Sequence, residues 1–120
     1  MIEKVFTSLE EMRAFHGEDG VLSVLNLISG DEFPEMSLAL IGLNGINRRV
    51  RNLESNATYS LLVGNVCFIL WDGDEHTIVE LKAGESVRIP AGRWYQDVGR
   101  GVMVSKNHKA FDHAKVEFWE

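Results

Sequence analysis

Beyond residue 20 the chain is punctuated: short runs of β-branched, aliphatic and aromatic residues alternate with turn-forming pairs and triplets. The runs are VLSVLNLI, MSLALIGL, INRRVRNL, TYSLLV, VCFILW, HTIVEL, SVRIP, WYQDV and GVMVS. The separators are NG at 44 and 45, GN at 64 and 65, DG at 72 and 73, AGE and PAG. Glycine supplies positive backbone angles and proline a fixed φ, so each separator is expected to turn the chain. Roughly eight or nine short strands at this spacing make an all-β sandwich or barrel.

One helix is expected before them. In TSLEEMRAF, Ser8 is a candidate N-cap with Glu11 three positions on, and Leu9, Met12 and Phe15 follow in helical phase before Gly17. The whole, 120 residues with 45% hydrophobic side chains, reads as a single domain able to bury a core. The helix and first strand occupy 1–35, the barrel about 36–105, and a C-terminal tail 106–120, whose aromatic residues are expected to dock on the barrel wall.

A net charge of −6 repels phosphate backbones and anionic lipid, so no nucleic-acid or membrane partner is expected. The chain carries neither an apolar leader nor a run of membrane-spanning length, which leads to the expectation of a cytoplasmic protein. The one cysteine, Cys67, lies in the apolar run VCFIL and reads as a small core residue.

The glycines and proline fall in a particular frame. Gly45 and Gly64 match the ends of G-x5-H-x-H-x3-E-x6-G, while Gly84, Pro90 and Gly92 match G-x5-P-x-G-x2-H-x3-N. In this frame the chain resembles the cupins, over about residues 36 to 105. The resemblance implies a small antiparallel jelly-roll β-barrel, dimers joined through sheet edges, and in most members a metal held by the histidines and glutamate of the motifs. Here those positions carry Arg51, Leu53, Ala57 and Tyr95. A permanent guanidinium charge opposes a cation, and His16, His76, His108 and His113 form no close ligand pair. No metal and no other cofactor is therefore expected.

If Arg51 occupies a ligand position it points into the barrel, Arg49 shares its face and Arg48 points out, because strand side chains alternate. Tyr59 continues inward from Ala57, and Tyr95 and Asp97 share the inner face of their own strand. The expected pocket is thus Arg49, Arg51, Tyr59, Tyr95 and Asp97 among apolar walls. A buried Arg51 needs a carboxylate: either Asp97 or Glu54 as structural glue, or a ligand anion. Trp71, Trp94 and Trp119 have two readings, stacking on a sugar or ring and packing on the wall.

Three functions follow as expectations. The first is a metal-free cupin binding a small, anionic metabolite (sugar-like, carboxylate or phosphate) through Arg49, Arg51, Tyr59 and Tyr95. The second is a cofactor-independent isomerase, epimerase or lyase in which Tyr95 and Asp97 exchange protons, as the resemblance to metal-free sugar-nucleotide epimerases implies. The third is a non-catalytic scaffold, a homodimer.

Overall fold

The DG pair behaves as its chemistry dictates. In a computed structural model of the chain, which describes residues 2 to 6, 8, 11 and 21 to 119, Gly73 takes φ 63° in the tight turn of a hairpin. The strands are β1 (Ile2–Phe6), β2 (Val21–Ile28), β3 (Met36–Ile46), β4 (Val50–Asn52), β5 (Asn56–Asp72), β6 (Glu75–Leu81), β7 (Ser86–Ile89), β8 (Tyr95–His108) and β9 (Val116–Phe118). Residues 2 to 6 carry no strand signal in the sequence reading, yet β1 runs parallel to β2; every other pairing is antiparallel. The expected helix lies outside the described residues, apart from the Glu11 backbone N–H donating to Ser8 Oγ at 3.2 Å.

Two separators do not separate, and two expected strands with none between them run together. NG at 44 and 45 lies inside β3, and the expected strands TYSLLV and VCFILW are one strand, β5, that passes straight through GN at 64 and 65. WYQDV and GVMVS likewise fuse into β8 across Gly99 and Arg100. The reason is a close approach. Beyond a register shift between Leu61 and Val63, Gly64 (φ 100°) faces the Arg100 carbonyl and Gly99 (φ 139°) faces that of Asn65, so a Cβ at either would collide with backbone. These glycines bend two long paired strands instead of reversing one.

The bend lets the sheet curl. β8 is central, with β3 on one side and β5 on the other, and β5 carries β6 and β7 on its far side. Leu43, Leu61, Val66, Phe68, Leu81, Ile89 and Met103, each at most 3% exposed, fill part of the space within the curl. Among the described residues no helix is long and apolar enough to cross a membrane.

The C-terminal segment docks as expected. A short 3-10 turn at His113–Lys115 leads into β9, which pairs with β4 through Val50–Phe118, Arg51–Glu117 and Asn52–Val116. Outside the barrel the Arg49 guanidinium lies 3.6 Å from the Trp71 ring centre and 4.5 Å from that of Trp119, while Trp119 meets Trp94 edge to face at 5.1 Å. Arg51 reaches Glu117 at 2.8 Å and lies over Trp94. This ladder of cations and rings straps the tail to the wall.

Gly64→Ala is expected to lower stability in urea unfolding by about 3 kcal/mol or more, since it adds a backbone collision to an unfavourable φ. Gly73→Ala, in open space, should cost about 1 kcal/mol. Arg49→Ala should cost about 1 kcal/mol and speed amide exchange at Trp119, whose N–H donates to the Arg49 carbonyl at 2.9 Å, with little change at Met103.

Candidate functional site

Tyr59 pairs across the sheet with Ser105, and Tyr95 with Leu70. On a flat strand the span from position 95 to position 105 would be roughly 33 Å. In the curled sheet the two phenolic oxygens are 2.8 Å apart and their ring centres 6.0 Å apart, with Phe68 packed against both. The phenols thus meet across the hollow, one hydroxyl donating to the other. Ser105 lies beside Tyr59 and Asn52 beside Tyr95.

Asp97 follows Tyr95 on the same face of β8 and is 3% exposed. It is held by the loop between β3 and β4. The Asn47 backbone N–H donates to the Asp97 carbonyl at 3.0 Å, the Asn47 carbonyl accepts from Gln96 Nε2 at 2.7 Å, and Asn47 Oδ1 accepts from the Arg48 N–H at 2.8 Å. With its oxygen so engaged, the Asn47 amide directs Nδ2 at Asp97 Oδ1, 3.0 Å away.

Burial sets the protonation of all three groups. Loss of water pushes the Asp97 carboxyl up to about 6, against the pull of the Asn47 amide and its own backbone N–H. Burial, with the Asp97 charge adding to it, pushes Tyr59 to about 12. Tyr95 is raised well above the usual phenol, first by burial and then by the neighbouring Tyr59. Both phenols are neutral donors at physiological pH, beside a carboxyl poised near neutrality.

These groups line a cavity of about 680 Å³ among the described residues. Its apolar wall includes Leu22, Val24, Ala39, Ile41 and Val50, and its polar wall includes Asn26, Ser37, Asn52, Ser105 and Asn107. Texture and size suit a small organic molecule.

The structure brings Tyr59, Tyr95 and Asp97 together, as the sequence reading expects. It does not bring Arg49 or Arg51 to them. On β4 the inward residues are Val50 and Asn52, 9% and 7% exposed, and Arg51 between them points out. The expected register is off by one residue, which on a strand moves every side chain to the other face. Burying a valine and an asparagine is cheaper than burying a guanidinium, and outside the wall Arg51 finds Glu117 and Trp94. Neither Asp97 nor Glu54 pairs with it: Glu54 instead meets Lys109 at 3.1 Å. Arg49 is held between two tryptophans. The three tryptophans pack on the outer wall and are absent from the cavity lining.

The anion expectation rested on those two guanidiniums and loses its support. Asp31, Glu54, Asp97 and Asp112 line the cavity, against Lys109, already ion-paired, and His113. His113, an exposed residue, also borders the cavity. Asn47, Asn52, Ser105 and Asn107 are further lining residues that the sequence reading missed. The last two continue the alternation begun at Tyr95 and Asp97 and were legible from it, had WYQDV and GVMVS been read as one strand.

The resemblance implies a metal, and the donor set can be tested against one. Phenols and amides surround a single buried carboxylate, and among the described residues no three histidine, cysteine, aspartate or glutamate side chains converge. That set does not fit a transition-metal centre.

No protein-family model matches the chain, and no curated protein matches it in sequence. Solved structures do match in fold. Streptomyces Pac13, a nucleoside dehydratase with variants solved with uridine, has a TM-score of 0.66 at 17–18% identity, over 72% of this chain and 69–70% of that one. A recombinant oxalate oxidase in complex with glycolate has a TM-score of 0.71 at 14% identity, over 86% of this chain and 57% of its own. The vicilin of Solanum melongena, with anionic ligands in structurally similar pockets, has a TM-score of 0.70 at 16% identity, over 85% of this chain and 31% of its own. By its fold, an antiparallel jelly roll curled around a ligand-sized hollow, the chain is a cupin-type β-barrel.

Proposed function

We propose that the barrel binds a small, uncharged, hydroxyl-rich molecule, such as a sugar or its derivative, without help from a metal. The observation that carries this reading is the convergence of Tyr59, Tyr95 and Asp97 on one cavity, with amide and hydroxyl groups beside them. Neutral phenols donate, a carboxylate accepts, and amides do both, which matches the alternating donors and acceptors of a polyol. A phosphate or carboxylate ligand would face Asp97 at close range with no free cation among the described lining residues to offset it.

A second reading gives the same groups a reaction. A carboxyl near 6 is largely ionised at neutral pH yet basic enough to take a proton from carbon beside a carbonyl, and Tyr95, which stays protonated, can donate to the oxygen where charge builds up. The proton would pass from substrate carbon to Asp97 and return to the neighbouring carbon, or a phenol would protonate the opposite face and regain its proton from Asp97, or Asp97 would pass it to a leaving hydroxyl that departs as water. That is isomerase, epimerase or lyase chemistry. The likeness to a nucleoside dehydratase, with two tyrosine-to-phenylalanine variants among its structures, supports this reading.

In calorimetric titration, neutral sugars and polyols are expected to bind more tightly than their phosphates. Asp97→Asn should weaken the best of them by about tenfold or more, the worth of a hydrogen bond to a charged group. Tighter binding of the phosphates would contradict the reading.

Stability should follow Asp97. The folded value near 6 lies above the ordinary 3.8, so between those pH values the native protein holds a proton that the unfolded chain has released. Its contribution to stability therefore falls as pH rises through this window, by on the order of 2–3 kcal/mol. Urea midpoints of the wild type and Asp97→Asn, compared from pH 4 to 7, should diverge in that sense.

For the second reading, keto-sugar protons next to the carbonyl should exchange with deuterium oxide in the presence of the wild type. Tyr95→Phe and Asp97→Asn should each slow this by about a hundredfold. A wild type that exchanges nothing across ketoses and their nucleoside derivatives would leave the binder alone.

A further inference from the structure

Three aromatic side chains of the C-terminal segment line the same cavity and belong to no part of the hydrophobic core. Phe111 is 47% exposed and Phe118 37%, with His113, also exposed, between them. The His113 ring centre lies 6.4 Å from that of Phe111 at 85° and 6.4 Å from that of Phe118 at 51°. Tilted rings at this spacing form an open cluster, and the guanidinium of Arg48 lies 4.2 Å from the Phe118 ring centre. Covering half-exposed phenylalanine rings removes apolar surface from water, which is favourable. The tail is also held elsewhere, by the β4–β9 pairing and the Arg49 and Trp119 contacts.

The cavity thus has two chemistries. Deep inside, buried phenols, amides and a carboxylate suit hydroxyl groups; at its exposed edge, rings suit a flat apolar surface. Its volume of about 680 Å³ leaves room beyond one sugar ring. From this we infer that the ligand is a glycoside bearing a flat unsaturated ring, a nucleoside or an aryl glycoside. Its hydroxylated part sits on Tyr59, Tyr95 and Asp97, and its ring stacks against Phe111, His113 and Phe118. The inference rests on the reading of the inner groups as a sugar site and adds the part of the ligand that site does not hold. The edge cluster then sets specificity: it distinguishes a glycoside with a ring aglycone from the free sugar.

The test is paired titration of the full chain by calorimetry. Uridine and adenosine are compared with methyl β-ribofuranoside, and 4-nitrophenyl β-glucoside with methyl β-glucoside. At least one ring-bearing ligand is expected to bind about tenfold more tightly than its methyl counterpart, the size of one ring stacked on an aromatic side chain. In Phe111→Ala that ratio should collapse toward one, and His113→Ala, at an exposed position, should reduce it too. Melting temperature and near-ultraviolet circular dichroism verify that both variants fold. Methyl glycosides that bind as tightly as their partners, with Asp97→Asn weakening them, would overturn the ring site while leaving the sugar site standing. A ring preference that survives in both variants would also overturn it. Saturable binding by none of the five ligands would overturn both readings.

Discussion

The pairing of β5 with β8, bent where Gly64 and Gly99 press against the opposite backbone, is the constraint on which everything else depends. Without the bend, Tyr59 and Tyr95 would stand far apart on one flat sheet. With it they share a hydrogen bond across the hollow. The same curl buries Asp97, and burial alone turns an ordinary carboxyl into one that titrates near neutrality. Fold, electrostatics and candidate chemistry are consecutive results of one local geometry, set by residues that carry no side chain.

Much of this was legible in the chain. Short β-rich runs and turn pairs point to an all-β barrel, the glycine and proline frame points to a cupin-type jelly roll, and alternation on WYQDV puts Tyr95 and Asp97 on one face. Tyr59 follows from the same rule. What the sequence hid is where a glycine bends a strand and where it ends one. Gly73 and Gly64 look alike in sequence, yet one closes a hairpin in open space and the other sits against a neighbouring carbonyl. That difference depends on long-range pairing, which no local pattern encodes.

The misplaced arginines have the same origin. Counting from Gly45 with a fixed motif puts Arg51 inside, but β3 continues to Ile46 and the next three residues form a loop, so β4 enters one position out of phase. Desolvation then settles the matter: Val50 and Asn52 go in, and Arg51 stays where water, Glu117 and Trp94 receive it. A guanidinium in the barrel would have stood beside Asp97; its absence leaves Asp97 the buried charged side chain among the described residues. The arginines instead serve the wall, where Arg49 and Arg51 hold the C-terminal segment whose rings edge the cavity.

Asp97 is buried in the hollow beside two neutral phenols. Carbon-13 NMR of the aspartate side-chain carboxyls, with Asp97 assigned through Asp97→Asn and followed across pH, tests it most directly. The account predicts that the Asp97 carboxyl titrates near 6, and lower once Asp97 is opened to water by replacing Tyr95 with alanine. Titration of Asp97 near the ordinary 3.8 in the wild type would place it in solvent, contradicting the enclosed site and the chemistry built on it.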